Sequence, residues 1–297
     1  MEKTNPQLNK LKTSLIETIR YLSEEIGQRS YLDIKNLNKS AEFIEKSFRD
    51  IGLETETQPF KYQGNTYQNI IAELEGRKIA PPLIIGAHYD TVIGTPGADD
   101  NSSGIAGLIE LARLAKETTP EIPIRFIAFS LEEPPAFRTS AMGSHIYATK
   151  IKEKGERIFA MISLEMIGYY CMTKGCQFYP LPFFRWFYPD RGDFIALVGN
   201  LSARRFTKNL KRALKDEITL SVESLNTISL IPGVDFSDHR PFWRLGYPAL
   251  MITDTAFFRN PFYHGPADRA ETLNYDLMAE LILGIHKTFL KKEIFES

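Results

Sequence analysis

The chain has 297 residues, of which 36 are Lys or Arg and 37 are Asp or Glu, so its formal net charge is −1. This balance argues against a general binder of nucleic acid or of acidic membranes, because such proteins usually carry a basic excess. Only two cysteines are present, which excludes a disulfide scaffold, and the 43% hydrophobic content is ordinary for a compact globular protein.

The first elements in chain order are predicted within residues 1–30, as a helical extension that packs on the domain. Its apolar residues recur at helical spacing: Leu11, Leu15, Ile16, Ile19 and Leu22. This segment lacks the uninterrupted apolar core of a secretory signal. No stretch of the chain approaches the roughly 20 apolar residues of a membrane span. A cytoplasmic location is therefore expected.

Strand-like and helix-like segments alternate along the rest of the chain. A helix is predicted over 40–50, followed by two strands between residues 54 and 75 around a turn at 63–65. Short apolar runs predict buried strands at 83–87, 122–130, 158–164, 194–198 and 248–252. Helical periodicity predicts further helices at 101–116, 144–154, 202–215 and 275–290. With no linker along the chain, the pattern predicts one α/β domain over residues 1–297, built on a largely parallel sheet.

Acidic residues and histidines follow four of the buried strands or begin the helix after the first of them. They are His88, Asp90, Asp99, Asp100, Glu132, Glu133, Glu165 and His264. Because ligands bind at the carboxyl ends of the strands in open α/β sheets, these side chains are expected to meet at one sheet edge.

Oxygen and imidazole ligands without thiolate suit zinc, manganese or cobalt. Two histidines with three or more carboxylates exceed what one catalytic zinc needs, and match two metals that share a bridging carboxylate. On an extended chain the side chains of His88 and Asp90 share a face. Asp90 is therefore expected to support His88 and to fix its tautomer.

Four sequence segments resemble the dinuclear zinc aminopeptidases of metallopeptidase family twenty-eight, which also contains glutaminyl cyclases and the transferrin-receptor ectodomain. They are His88-Tyr89-Asp90-Thr91, the run PGADDNSSG over 96–104, Glu132-Glu133 and Tyr263-His264. PGADDNSSG is the most specific of them, and the resemblance covers the chain from about residue 35 onward. It implies a three-layer α-β-α sandwich with a mixed, largely parallel central sheet.

The resemblance also implies a set of metal ligands. His88 and Glu165 are expected as the terminal ligands of one metal, and Glu133 and His264 as those of the other. Asp99 is expected as the bridging carboxylate, joined to the next residue by a cis peptide. Two zinc ions per chain are expected, with cobalt or manganese as alternatives.

Catalytic and substrate-binding residues follow from the same resemblance. Glu132 is expected as the general base that accepts a proton from the attacking water and returns it to the leaving amine. Asp90 is expected as a second catalytic residue, together with Glu132. Asp238 and His239 lie in the motif Asp-His-Arg-Pro-Phe and are expected at the substrate site. His145 and His286 are expected to have structural or surface roles.

The sequence departs from the family pattern in two places. The loop after Glu133 is longer than usual, because residues 134–142 precede the expected Gly-Ser turn. Glu165 occupies a position where Asp is commoner, which adds one methylene and keeps the carboxylate. Neither departure removes a ligand.

Three functions are compatible with this resemblance. The first is an aminopeptidase that acts on peptide or aminoacyl substrates. The second is the acyl transfer of glutaminyl cyclases, which use one zinc, and the third is a binding domain without catalysis, like the receptor relatives. The complete ligand set favours the aminopeptidase, and the number of bound metal ions would separate the three.

An aromatic-rich insertion over residues 171–194 follows soon after Glu165. Its three prolines argue against a regular helix. Two interpretations remain open: a loop that packs its own small core, and an apolar surface that forms a wall for substrate side chains or binds a partner. Cys171 and Cys176 flank its start, and a reducing cytoplasm favours free thiols over the disulfide that related secreted enzymes can carry nearby.

Overall fold

Eight strands pair into one mixed sheet in the computed structural model, which describes residues 6–296. The strands are β1 (Glu54–Tyr62), β2 (Asn65–Leu74), β3 (Leu83–His88), β4 (Ile124–Phe129), β5 (Ala160–Glu165), β6 (Phe194–Gly199), β7 (Ser221–Asn226) and β8 (Ala249–Thr253). The helices are α1 (Pro6–Arg20), α2 (Ile34–Asp50), α3 (Gly104–Thr118), α4 (Gly143–Glu153), α5 (Arg204–Lys215), α6 (His239–Arg244) and α7 (Tyr275–Phe289).

The strand order is β1-β2-β4-β3-β5-β8-β6-β7. The four central strands β4, β3, β5 and β8 run parallel, and so do β6 and β7 with each other. The pairs β1–β2, β2–β4 and β6–β8 are antiparallel. Every residue of β3, β5 and β8 is buried, as expected for strands covered on both faces. The predicted fold class, a single α/β domain with a largely parallel sheet, is confirmed.

Helices cover both faces of the sheet, giving three layers. Helices α1, α2, α3, α5 and α7 pack on one face, while α4 and α6 pack on the other. Successive strand residues serve opposite faces: Ile84 packs with the α4 and α6 layer, and Ile85 packs with the larger layer. Because each loop that follows a parallel strand lies at the same edge, this arrangement gathers the polar residues after β3, β4, β5 and β8.

The N-terminal extension is part of the main core. Leu11, Leu15, Ile19 and Leu22 are fully buried between α1 and the other helices of the larger layer. Helix α1 continues into a wider helical turn over Tyr21–Ile26. Residues 1–5 of the predicted extension lie outside the described residues. Among the helices within residues 6–296, none is long and apolar enough to cross a bilayer, and the cytoplasmic location stays a prediction.

Two elements were not predicted from the sequence. β7 is an edge strand with one buried residue, Val222, so it lacks the apolar run that marks the central strands. Helix α6 has only six residues, too few for a helical period to be visible. Helix α2 also begins earlier than predicted, at Ile34 rather than at residue 40.

Cys171 and Cys176 are joined by a disulfide, so the expectation of free thiols is wrong. Their Cα atoms lie 6.4 Å apart, within the range that a disulfide spans. The backbone brings them together because Cys171 pairs with Gly192 across the base of the insertion and Cys176 closes a tight turn on Thr173. The expectation came from the assumed compartment and took no account of this local geometry.

Candidate metal centre

The carboxyl-terminal edge of the sheet carries a dense group of acidic residues and histidines, all of them buried except the half-buried His264. His88 ends β3 and Glu165 ends β5, while Glu132 and Glu133 follow β4. Asp100 lies in the turn before α3, and His264 in the loop that follows β8. Parallel strands therefore deliver side chains that are far apart in sequence to one place.

The carboxylate of Asp100 lies between two histidines. Its Oδ1 is 3.4 Å from Nε2 of His88, and its Oδ2 is 3.2 Å from Nε2 of His264. Glu165 Oε1 lies 3.4 Å from the same His88 nitrogen, and Glu133 Oε2 lies 3.3 Å from that of His264. Two clusters of one histidine and one glutamate thus share one aspartate, an arrangement suited to two metal ions with a bridging carboxylate.

Asp99, the residue predicted to bridge the metals, points elsewhere. Its carboxylate accepts hydrogen bonds from the Gly168 N–H at 3.0 Å and from the Asn260 side chain at 2.8 Å. The cis peptide joins Asp100 to Asn101, one residue later than expected. Asp100, rather than Asp99, is therefore the aspartate whose carboxylate faces both histidines, and the placement of Asp99 does not support the role predicted for it.

Asp268 holds the turn that contains Asp99 and Asp100. Its buried carboxylate accepts the backbone N–H of Asp99 at 2.8 Å and that of Asp100 at 3.1 Å. With both amides fixed on Asp268, the two side chains leave the turn in different directions. Two consecutive aspartates are equivalent in the sequence, so a residue 168 positions away decides which one faces the histidines.

Asp90 positions the two glutamates that follow β4. Its carboxylate accepts the backbone N–H of Glu132 at 3.1 Å and that of Glu133 at 3.0 Å. Its backbone carbonyl lies 3.1 Å from Nδ1 of His88, closer than its carboxylate at 3.6 Å. Donation from Nδ1 to this carbonyl leaves Nε2 free as a metal ligand. The expected support of His88 thus comes mainly from the Asp90 backbone.

Burial and nearby charges shift the pKa values of Glu132, Glu133 and His264. Burial raises the pKa of Glu132 well above its ordinary value, and it raises that of Glu133 to about 8 with help from the charge of Asp100. Burial opposes protonation of His264, but hydrogen bonds to Asp100 and Glu133 raise its pKa to about 10. Without cations the centre holds protons among its carboxylates and imidazoles, and these compete with metal binding.

The residues fit zinc by their donor chemistry. Zinc prefers imidazole nitrogen and carboxylate oxygen in such sites, and both are supplied by buried side chains. Oε1 of Glu133 is fully buried and has no hydrogen-bond partner in the part of the chain that the structure describes. A buried carboxylate oxygen without a partner is costly unless a cation or a donor neutralises it.

Asp238 and His239 do not line the cavity that opens on this centre. The Nε2–H of His239 donates to the carbonyl of Val234 at 2.9 Å, and its ring packs edge-on against Trp243. Burial lowers the pKa of His239 to about 4, so the imidazole is neutral. Asp238 is fully buried beside Ser237, whose hydroxyl donates to Glu165 at 2.6 Å. The prediction that these two residues contact substrate is not supported by their placement.

A cavity of about 210 Å³ opens on the centre. Its lining consists of four candidate site carboxylates, one histidine and four apolar or aromatic residues: Asp100, Glu132, Glu133, Glu165, His264, Pro134, Phe137, Phe236 and Tyr263. Phe137 and Phe236 meet edge to face with ring centroids 5.6 Å apart. Phe137 belongs to the lengthened loop over 134–142. The extra length of this loop was therefore the feature of the sequence that indicated an apolar wall of Phe137 and Phe236 on the cavity.

The aromatic-rich insertion borders a separate apolar cavity of about 90 Å³. Phe178, Tyr179, Phe184 and Tyr188 from the insertion contribute to its lining. Thr253 also lines it and pairs with Glu165 across β8 and β5. The cavity that the insertion borders thus reaches the strand that pairs with Glu165. It also packs on itself through rings such as Phe184 and Tyr188, 5.7 Å apart.

Comparison with known proteins places these features in a family. The model of peptidase family M28 matches residues 69–288. The uncharacterized protein YfbL of Escherichia coli is 46% identical over 279 residues, which are 91% of this chain and 85% of YfbL. The structure of a zinc aminopeptidase from Bacillus subtilis matches with a TM-score of 0.72 at 18% identity, covering 94% of each chain. A glutaminyl cyclase from Bacteroides thetaiotaomicron matches with a TM-score of 0.69 at 18% identity, covering 94% of this chain and 97% of the cyclase.

Proposed function

The chain belongs to peptidase family M28, and on that premise we propose that it is an aminopeptidase that uses two zinc ions. The observation that carries the proposal is the Asp100 carboxylate between His88 and His264, with one oxygen facing each imidazole. A single catalytic zinc needs three protein ligands, and this centre offers five. The proposed substrates are peptides with a free amino terminus.

The five proposed ligands divide between two ions. His88 and Glu165 would hold one ion, Glu133 and His264 the other, and Asp100 would contribute to both. Bound zinc supplies a Lewis acid that polarises a carbonyl and makes water acidic near neutral pH. Cobalt or manganese would suit the same ligands.

Glu132 is the proposed general base. It lines the cavity, and its backbone is fixed by the hydrogen bond from its N–H to Asp90. A side-chain carboxylate in this position accepts the proton of the attacking water and returns it to the leaving amine. Burial raises the pKa of Glu132, which favours holding the proton between these two steps.

The substrate preference is proposed from the apolar surfaces near the centre. Phe137 and Phe236 form an apolar wall on the cavity itself, and the second cavity beside Thr253 is almost entirely apolar. We therefore favour the interpretation of the insertion as a wall for substrate side chains. Leu- and Phe-amide substrates are expected to be hydrolysed faster than Lys-amide.

Acyl transfer of the glutaminyl-cyclase type is the second candidate, because a cyclase shares the fold. The two candidates differ in metal content and product. A cyclase is expected to hold one zinc and to release ammonia from an amino-terminal glutamine. The five-residue ligand set favours the peptidase, and retention of these residues argues against a binding domain without catalysis.

The deciding experiment combines metal analysis with a substrate panel. The purified protein is stripped of metal with a chelator and reloaded with zinc, and bound zinc is counted per chain. Aminoacyl amides, amino-terminally blocked peptides and a glutaminyl peptide are then assayed before and after reloading. Two zinc ions and zinc-dependent hydrolysis of unblocked substrates are expected. Activity that survives complete chelation, or cyclisation of the glutaminyl peptide as the main reaction, would refute the aminopeptidase proposal.

A further inference from the structure

Arg29 is fully buried in the segment that follows α1, near the metal centre. It lies before the residues 69–288 that match the family model. A buried guanidinium is costly to desolvate, and such a group is normally paired with a carboxylate. Arg29 has no ion pair at salt-bridge distance within residues 6–296. Its charge is instead surrounded by oxygens of the backbone and of one hydroxyl.

The guanidinium joins three segments of the chain. Nε donates to the carbonyl of Tyr89 at 2.8 Å, between His88 and Asp90. The two Nη groups donate to Pro96 and Gly97 carbonyls at 2.9 and 3.1 Å, and to the Ser102 hydroxyl at 2.9 Å. Nη1 also donates to two carbonyls at the end of the N-terminal helical segment, those of Leu22 and Gly27, at 2.7 and 2.8 Å.

The contacts of Arg29 surround two turns that each carry a proposed ligand, the turn with His88 and the turn with Asp100. Tyr89 directly follows His88, while Gly97 and Ser102 bracket Asp100 in sequence. The backbone N–H of Arg29 donates to the Thr91 hydroxyl at 3.0 Å, which adds a further contact to the first turn.

Close packing around Arg29 leaves the two turns little freedom. A Cβ on Gly97 would lie 2.4 Å from the carbonyl oxygen of Asp100 and 2.4 Å from a methyl group of Thr91. Gly97 also has a φ of +64°, which favours glycine. The turns therefore touch each other directly, and the guanidinium fills the space behind them.

The charge of Arg29 also acts on the centre. Burial lowers its pKa to about 10, while the negative charges of Asp268, Asp90 and Asp100 oppose this effect. The group therefore stays cationic at neutral pH. It is a fixed positive charge behind a site rich in carboxylates.

We propose that Arg29 is a positioning residue for metal binding, which holds the His88 and Asp100 turns in register through their backbone carbonyls. This inference rests on the proposed metal-dependent function. Residues that orient metal ligands typically contribute 10–100-fold in metal affinity. Arg29 would act on both ions at once, because its hydrogen bonds reach the turn that carries His88 and the turn that carries the shared Asp100.

The test measures zinc affinity rather than activity. Wild type, Arg29→Lys and Arg29→Met are titrated with zinc against a chelating indicator, after circular dichroism has established that each is folded. Zinc affinity is expected to fall about 10–100-fold in Arg29→Met. The zinc affinity of Arg29→Lys is expected to lie between those of wild type and Arg29→Met. The lysine ammonium keeps the positive charge but lacks the planar guanidinium that reaches several separate acceptors.

Two further variants separate positioning from general stability. Ile151→Ala removes buried volume from α4 in the opposite helix layer, and is expected to lower the melting temperature without changing zinc affinity. Ser102→Ala removes one contact of Arg29 together with the hydrogen bond from the Ser102 hydroxyl to the Gly97 carbonyl, and is expected to weaken zinc binding severalfold. If the Arg29 variants do not fold, the zinc affinity of Ser102→Ala tests the positioning role in their place.

The outcomes distinguish this inference from the proposed function. Folded Arg29 variants, or Ser102→Ala, that bind zinc like wild type would show that Arg29 is merely structural, and the metal-dependent function would stand. Wild-type protein that binds no zinc would overturn both. Weaker zinc binding in the Arg29 and Ser102 variants, with Ile151→Ala unchanged, supports the positioning role.

Discussion

Asp90 Oδ1 accepts a hydrogen bond from the backbone N–H of Glu132 at 3.1 Å. This contact ties the residue after β3 to the proposed general base after β4, and the other oxygen of Asp90 ties Glu133 in the same way. Each oxygen of the Asp90 carboxylate thus accepts from a backbone amide of the turn after β4. We therefore assign Asp90 a positioning role instead of a direct catalytic one.

The Asp90→Asn variant tests this assignment. In this variant an NH₂ group replaces one of the two carboxylate oxygens and therefore faces the backbone N–H of Glu132 or Glu133. Two donors then face each other, so the turn after β4 is expected to shift. We expect kcat/KM to fall about 10–100-fold while two zinc ions still bind at saturating zinc. Steady-state kinetics with zinc counting provide the measurement. The exposed Asp50→Asn on α2 is the control and is expected to be unchanged. Wild-type kinetics for Asp90→Asn would contradict the assignment.

Glu132→Gln is expected to separate chemistry from metal binding. Glutamine keeps the size of the side chain but cannot accept and return a proton, so kcat is expected to drop about 10²–10⁴-fold. Zinc content is expected to remain at the wild-type value. Glu133→Gln is the matched comparison, since its Oε2 faces His264 and its loss is expected to weaken zinc binding as well. Equal zinc loss in both variants would argue that Glu132 is a ligand rather than a base.

Asp100→Asn and Asp99→Asn test the corrected bridging position. Only the carboxylate of Asp100 faces both histidines, so its neutralisation is expected to abolish tight binding of at least one zinc ion. Asp99→Asn changes hydrogen bonds to Gly168 and Asn260 and is expected to lower the melting temperature while retaining both ions. Zinc counting by elemental analysis on both variants measures this. The reverse pattern would restore Asp99 as the bridging residue.

Ala196→Leu tests the role of the apolar cavity beside the insertion. Ala196 on β6 lines that cavity, and a larger side chain would occupy part of its volume. If substrate side chains enter there, kcat/KM for Leu-amide is expected to fall about tenfold, since losing a few buried methylenes changes discrimination by 10–200-fold. Turnover of Ala-amide serves as the internal control and is expected to change little. An equal effect on both substrates would favour the interpretation of the insertion as a self-packed loop.

His286 is expected to make stability depend on pH below neutrality. Burial lowers its pKa from the ordinary 6.5 to about 4 in the folded chain. Below pH 6.5 His286 becomes protonated in the unfolded chain but remains neutral in the folded chain down to about pH 4. The free energy of unfolding therefore falls as the pH drops from 6.5 toward 4. The contribution is flat above pH 6.5, and the loss is on the order of 2 kcal/mol.

The measurement for His286 is urea unfolding of the chelated protein between pH 4.5 and 7.5, an interval set by the pKa values above. His286→Gln is expected to be less sensitive to acid than wild type over this interval. Part of the slope is expected to remain, because burial lowers the pKa of His239 to about 4 as well. Parallel pH profiles for wild type and His286→Gln would contradict the prediction.

Local sequence patterns were enough to locate the central strands and the polar residues that follow them. In apolar runs such as Leu83 to Ala87, consecutive residues are apolar, so side chains on both faces of the strand are apolar. Such a strand is expected to be buried on both faces. The residue types after these strands then predict a metal site at the sheet edge, because parallel strands end at the same side. The edge strand β7 escaped prediction because an exposed edge needs no continuous apolar run.

The directions of individual side chains in the loops depend on contacts between distant parts of the chain. Asp100 rather than Asp99 faces the histidines because distant Asp268 holds both backbone amides. His239 turns away because Val234 accepts its N–H in a buried pocket. Arg29 joins turns that lie more than sixty residues beyond it. In irregular loops the direction of a side chain depends on hydrogen bonds to remote parts of the chain, and local periodicity carries no information about those partners.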